Sequence, residues 1–184
     1  MAVVISLLRG VNVGGHNQIR MEALRALCGS LGLRDAQTYV QSGNVVFRTD
    51  ARDLVRLAKR MEGAIEASLG FRPVVVVRTC AELRGVIARN PFAARREIDP
   101  RKLVVNFLAA DPGPEARQRL LRVPAGPEEL HLAGRELYIY FPDGVGLSKL
   151  SPAVLEKALQ TSATGRNWNS VTKLLEIAER LEAS

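Results

Sequence analysis

Two short polar segments near the start of the chain contain most of the side chains that could bind a ligand. The segment Arg9–Gln18 follows an apolar run and combines three glycines with amide, imidazole and guanidinium side chains. The segment Gln41–Asn44 has the composition of a tight turn between two strands. The candidate ligand-binding residues in these two segments are Arg9, Asn12, Gly14, Gly15, His16, Gln41, Ser42 and Asn44.

The chemistry of these residues favours anion binding. Arginine donates forked hydrogen bonds to carboxylates and phosphates, and the helix predicted after Gln18 would add free N–H groups and a positive dipole end. Neither segment contains Asp or Glu, and histidine, the residue type that exchanges protons near neutral pH, occurs once, at His16. We therefore predict a small phosphate-bearing or otherwise anionic ligand, with the Arg9 guanidinium pointing between the two segments. These residues identify no cofactor and leave open whether a reaction follows binding.

The glycine spacing matches no established phosphate-binding motif. The first segment lacks the GK[ST] ending of a Walker A loop and the GxGxxG spacing of a dinucleotide site. A structural alternative is that Gly14 and Gly15 only turn the chain, while Asn12 and Asn44 satisfy nearby backbone groups. The two cysteines and two histidines are too scattered for a zinc site, so no metal site is predicted, and Cys28 is expected in the core.

A second polar cluster precedes the last predicted helix, within residues 161–170. One interpretation is a second ligand-binding edge with the single tryptophan as a stacking platform. The alternative is a well-capped helix, with Asn167 as the N-cap and Trp168 packed in the core. The candidate binding residues of this cluster are Arg166, Asn167, Trp168 and Asn169.

The order of apolar and polar periodicities predicts an α+β protein with two packed βαββα-type halves of the split βαβ, ferredoxin-like kind. Residues 1–92 are predicted to form a βαββαβ half with a trailing helix, 93–102 a linker, and 103–184 a second βαββα half with a C-terminal helix. Within the first half, Asp50 is the expected N-cap of the second helix, and Thr79–Glu82 has the form of a capping box.

This topology explains why the two polar segments should meet. In a split βαβ sheet the strand order is 4-1-3-2, and the first strand is antiparallel to the third. The end of the strand Val3–Leu8 and the turn before Val45–Arg48 then lie at the same edge of the sheet. We therefore expect Arg9–Gln18 and Gln41–Asn44 to lie side by side. The second long helix, which stops at Gly70, also ends at this edge, so Gly70-Phe71-Arg72 is expected there.

The charge distribution supports an alternative partner. The formal charge is +7, and residues 1–92 carry 13 Lys and Arg against 7 Asp and Glu, whereas residues 93–184 carry 13 against 12. A basic half is typical of nucleic-acid-binding modules, which is the alternative function. An exposed RNA-binding sheet face is not expected, because Val3–Leu8 lacks aromatic residues and is apolar at nearly every position. A purely structural or protein-interaction domain is a third interpretation.

Other features bear on where the protein functions. No run approaches the 18 consecutive apolar residues of a membrane span, and Met1–Leu8 lacks the basic region and cleavage site of a signal peptide. We therefore expect a cytoplasmic protein with no membrane partner.

Three motifs resemble a known bacterial family. The runs LLRGVNVGG, LCGSLGLRDAQTYVQSGNVVF and TGRNWNSVTKL, in this order, are similar to the family called domain of unknown function 1697. The resemblance extends from Val3 to about Leu175 and implies a two-part α+β fold, without an assigned activity, cofactor or catalytic residue. The family usually has Thr-Thr-Arg-Asn-Trp-Asn in the third motif, and Gly165 here replaces the second threonine, which weakens any role for a hydroxyl at that position.

Overall fold

The computed structural model describes residues 1–184 and contains two four-stranded antiparallel sheets and six α-helices, as the predicted α+β class requires. In chain order the elements are β1 (Ala2–Leu8), α1 (Met21–Ser30), β2 (Arg34–Tyr39), β3 (Asn44–Thr49), α2 (Leu54–Leu69), β4 (Val75–Thr79), α3 (Cys80–Ala88), β5 (Leu103–Leu108), α4 (Ala116–Leu121), β6 (Glu129–Ala133), β7 (Glu136–Tyr140), α5 (Pro152–Leu159), β8 (Ala163–Asn167) and α6 (Trp168–Ala183). A 3₁₀ helix covers Val145–Leu147.

The first sheet has the predicted strand order, β2-β3-β1-β4. Strand β1 lies in the centre and pairs antiparallel with both β3 and β4. Its alternating residues point to opposite faces, yet Val4 and Leu8 on one face and Ile5 and Leu7 on the other are all buried. Both faces of the strand are therefore covered, as its continuous apolar sequence predicts.

The helices α1 and α2 cover one face of this sheet. Leu24 of α1 and Met61 and Ile65 of α2 are fully buried in one cluster with Val4 and Phe47 of the strands. Burial of a large apolar side chain stabilises a fold by about 1.5–3 kcal/mol. Packing of these two amphipathic helices against the sheet is therefore a main source of the stability of unit 1.

Local capping signals of the sequence are largely confirmed. The Thr79 Oγ1 accepts the Glu82 N–H at 3.0 Å, and the Glu82 carboxylate accepts the Thr79 N–H at 2.8 Å, which completes the predicted capping box at the start of α3. The predicted N-cap of α2, Asp50, is wrong by three residues. Asp53 caps this helix by accepting the Arg56 N–H at 2.9 Å, whereas the Asp50 carboxylate lies 3.6 Å from the N-terminal ammonium group.

The second sheet contains a strand that the sequence does not reveal. Residues 163–167, predicted as part of the approach to the last helix, form β8 and pair antiparallel with β5 in the sheet order β6-β7-β5-β8. Their sequence, Ala-Thr-Gly-Arg-Asn, has little intrinsic strand preference, so the pairing partner decides the conformation. The second half is thus βαββαβ with a trailing helix, like the first.

The two sheets repeat one topology in detail. Arg78 and Arg166 each occupy the next-to-last position of the fourth strand, and both are buried. Thr79 and Asn167 follow them, and each side-chain oxygen accepts the N–H three residues later, at 3.0 and 2.9 Å. The capping role predicted for Asn167 is therefore confirmed, and the two halves form an internal structural repeat.

The chain divides into two compact units. Unit 1 comprises residues 1–85 and 173–184, and unit 2 comprises residues 86–172. The segment 93–102, expected as a linker, is anchored within unit 2, where Arg95 pairs with Glu129 at 2.6 Å and the preceding Phe92 is buried against Tyr140. No helix combines the length and hydrophobicity needed to cross a membrane.

Because the Cys28 thiol is buried, the stability of unit 1 should fall at alkaline pH. Burial raises its pKa from 9.0 to about 12. Between pH 9 and pH 12 the thiol has released its proton in the unfolded state and keeps it in the folded state. The contribution of this thiol to stability is therefore fully present below pH 9 and is lost as the pH rises. We expect urea unfolding to show about 1 kcal/mol less stability from this thiol at pH 10 than at pH 8. The Cys28→Ala variant should lack this increment, and an unchanged pH profile in that variant would contradict the assignment.

Candidate functional site

The glycine-rich segment after β1 is a small hairpin. The backbone N–H of Asn12 donates to the backbone oxygen of Asn17 at 3.1 Å. Between these two residues a tight turn spans Val13–His16, and it is closed by a bond of 3.0 Å from the His16 N–H to the Val13 oxygen. The central residues, Gly14 and Gly15, have φ values of +57° and +77°. Positive φ at both central positions defines a type I′ turn, which glycine adopts without strain. The two glycines therefore shape the hairpin, as the structural alternative proposes.

Asn12 connects this hairpin to the turn between β2 and β3. Its Nδ2 donates to the Gln41 oxygen at 2.7 Å and to the Ile19 oxygen at 3.0 Å, while its Oδ1 accepts the Ile19 N–H at 2.9 Å. The side-chain amide thus joins three backbone groups from both polar segments. The predicted proximity of the two segments is confirmed, and the role of Asn12 is to hold them together.

The turn between β2 and β3 is held from within. The buried Asn44 donates through Nδ2 to the Tyr39 oxygen at 3.0 Å and to the Ser42 Oγ at 2.9 Å. The neighbouring Gly43 has a φ of +79°, and a Cβ at this position would lie 2.6 Å from the Val11 side chain. This turn is therefore closely packed against the residues that follow β1.

A surface depression with a volume of about 580 Å³ lies at this edge of unit 1. It brings together three of the predicted site residues with five residues that were not predicted. Gln18 and Arg20 contribute polar groups among the five, and Ile19, Ala23 and Leu69 contribute apolar surface. The lining residues are Asn12, Gly15, Gln18, Ile19, Arg20, Ala23, Gln41 and Leu69.

The start of helix α1 forms part of this depression. Arg20 occupies the N-cap position but provides no side-chain cap, so the first N–H groups of the helix stay available to an anion. The Arg20 side chain is 87% exposed, and its guanidinium lies 3.6 Å from the carboxylate of Glu22 in the first helical turn. An exposed pair of this kind contributes little to stability, and therefore leaves the guanidinium free to exchange partners.

The remaining predicted residues of the first cluster do not line the depression. Arg9 is half-buried, and its backbone N–H donates to the Val74 backbone oxygen at 2.9 Å, which attaches the end of β1 to the segment before β4. Gly14 and His16 are exposed in the hairpin. Ser42 and Asn44 bond within their own turn.

The second predicted cluster lies in unit 2. Arg166 is buried on β8 and donates to the Thr164 Oγ1 at 2.6 Å and the Gly165 oxygen at 2.9 Å. Burial lowers the pKa of its guanidinium to about 10, so it keeps its positive charge at neutral pH. Trp168 is half-buried at the start of α6 and Asn169 is exposed beside it, so the tryptophan is neither a fully buried core residue nor a fully exposed platform.

One sequence signal could have identified Arg20. The run Gln18-Ile19-Arg20 directly precedes the first amphipathic helix, and residues at a helix N-terminus contribute to an anion site whatever their own motif. The end of α2 was expected at this edge, and Leu69, the last residue of this helix, lines the depression. No group of three or more His, Cys, Asp or Glu side chains is close enough to hold a metal ion.

Comparisons with known proteins agree with the fold. A conserved bacterial protein of Streptococcus pneumoniae, SP0830, has a similar solved structure, with a TM-score of 0.71 and 19% sequence identity over 96% of this chain and 98% of that one. No curated protein sequence matches the chain. The profile of the family described as protein of unknown function (DUF1697) matches residues 1–138, which contain the first two of the three resembling motifs. The chain therefore belongs to the DUF1697 family of proteins of unknown function.

Proposed function

We propose that the protein binds a small phosphate- or carboxylate-bearing ligand in the depression beside the start of α1. The observation that carries this proposal is the combination in one cavity of an uncapped helix N-terminus and the exposed Arg20 guanidinium. Both the helix dipole and a guanidinium favour an anion, and they act here on the same small volume.

The other lining residues can contact the uncharged part of such a ligand. Gln18 and Gln41 are exposed amides that donate or accept hydrogen bonds, whereas Ile19, Ala23 and Leu69 provide an apolar surface. A volume of about 580 Å³ lies within the 300–1,000 Å³ typical of small-molecule sites. A ligand with an anionic end and an apolar or aromatic body would use both kinds of surface.

Substitution of Arg20 tests the proposal, with phenyl phosphate as the probe in an NMR titration. Loss of a charged donor should weaken binding by about fivefold to tenfold in Arg20→Gln, and the amide signals of the first turn of α1 should shift on binding to the wild type. Glu22→Gln should strengthen binding, because it removes a negative charge from the helix start.

Arg52 provides the matched control. It is an exposed arginine of the same unit that does not line the depression. Arg52→Gln should leave the affinity unchanged. Equal weakening by Arg20→Gln and Arg52→Gln would indicate only nonspecific attraction to a basic protein and would contradict the proposal.

The alternative of nucleic-acid binding has less support when the charges are counted for each compact unit instead of for residues 1–92 and 93–184. Unit 1 carries 14 Lys and Arg against 10 Asp and Glu, and unit 2 carries 12 against 9. The net charges of +4 and +3 are nearly equal, so the excess of positive charge noted for residues 1–92 is not a property of one unit. Both faces of β1 are also buried, which leaves no open sheet face there for stacked bases.

A further inference from the structure

The internal repeat places a second edge in unit 2 that corresponds to the ligand-binding edge of unit 1. In unit 1 the Leu8 N–H donates to the Gly43 oxygen at 2.9 Å, and in unit 2 the Leu108 N–H donates to the Arg135 oxygen at 2.9 Å. The residue that follows each central strand also donates its backbone N–H to the backbone oxygen of the residue that precedes the fourth strand, at 2.9 and 2.8 Å. The end of β5 is therefore built like the end of β1.

A depression of about 370 Å³ occupies this equivalent edge. As in unit 1, the segment after the central strand, the turn between the second and third strands and the first helix of the unit line it. Its walls differ from those in unit 1, because they include two prolines and a pair of opposite charges. The lining residues are Asp111, Pro112, Gly113, Pro114, Arg117, Leu132 and Gly134.

The two charged residues are each held by one hydrogen bond to the backbone and by no ion pair. The Asp111 Oδ1 accepts the Gly113 N–H at 2.8 Å, which leaves Oδ2 for another donor. The Arg117 Nη2 donates to the Leu132 oxygen at 2.9 Å, which leaves the other guanidinium donors for another acceptor. Opposite charges line one small depression without forming an ion pair, although many other acidic and basic side chains of this unit do form ion pairs.

We infer that this depression binds a small zwitterion, a free α-amino acid with an apolar side chain. The ammonium group would bind the Asp111 carboxylate and the carboxylate group would bind the Arg117 guanidinium. Pro112, Pro114 and Leu132 provide apolar contacts for the side chain. This inference does not depend on the anion site of unit 1, and the two sites differ in the presence of a lining carboxylate.

L-Leucine is the probe, measured by NMR titration of the full chain. We expect binding of L-leucine to the wild type with shifts at Asp111–Arg117, and a loss of about tenfold or more in affinity in Asp111→Asn and in Arg117→Gln. Asparagine still accepts the Gly113 N–H through Oδ1, so Asp111→Asn keeps the local turn. The matched controls Asp143→Asn and Arg122→Gln change exposed charges of the same unit outside the depression and should bind L-leucine like the wild type.

Analogues that lack one charge separate the role of each residue. N-Acetyl-L-leucine has no ammonium group, so its weaker binding should not decline further in Asp111→Asn. L-Leucinamide has no carboxylate, so its binding should be insensitive to Arg117→Gln. Absence of L-leucine binding at 10 mM, or equal losses in the control variants, would overturn the inference. Unchanged melting temperatures of all variants would show that the fold is intact.

Discussion

Replacement of Gly43 by alanine is expected to destabilise the protein by about 2–4 kcal/mol, because strain and overpacking act together at this position. Gly43 has a φ of +79°, and the added Cβ would lie 2.6 Å from the Val11 Cγ2 and 2.8 Å from the Leu8 Cβ. Val11 and Leu8 are buried, so neither can move into solvent. Urea unfolding followed by circular dichroism measures the effect.

Gly70 separates the two causes. It has the same φ of +79° at the C-cap of α2, but a Cβ there meets no atom within 4 Å. Gly70→Ala should therefore cost only the backbone strain, about 1 kcal/mol. Similar losses in the two variants would show that the turn at Gly43 relaxes away from Val11, and would contradict the close packing of this edge.

Asn12→Ala is expected to cost about 3 kcal/mol, since it removes three hydrogen bonds, two of them to the backbone of the buried Ile19. Asn12 also has a φ of +55°, a conformation that asparagine tolerates better than alanine. The same variant should weaken phenyl phosphate binding, because Asn12 connects two walls of the depression. Urea unfolding and the NMR titration give the two results.

Asn17 is the matched control within the same hairpin. It has a φ of +49°, and its side chain donates one hydrogen bond, to the Gly10 oxygen at 3.2 Å. Asn17→Ala should cost less than Asn12→Ala by about 2 kcal/mol, the contribution of the two additional bonds. Equal losses would mean that backbone strain alone explains both effects, and Asn12 would not be the link between the two segments.

The elements that local chemistry dictates could be predicted from the sequence. The apolar run of β1 and the apolar stripes of α1 and α2 correctly predict a strand and two helices and the burial of these residues. The Thr79–Glu82 capping box forms as its residue types predict. Sheet order followed from the βαββαβ sequence of elements, because that order restricts the ways in which the strands can pair.

Interactions between distant residues decided the rest. The Ala163–Asn167 segment lacks strand preference and becomes β8 only because β5 offers an unpaired edge. The two polar segments and the end of α2 were correctly expected to meet, yet the sequence could not decide whether the Asn12 amide binds a ligand or backbone groups. Periodicity and capping are properties of neighbouring residues, whereas the walls of a cavity come from residues up to 57 positions apart, between Asn12 and Leu69, and only the folded chain brings them together.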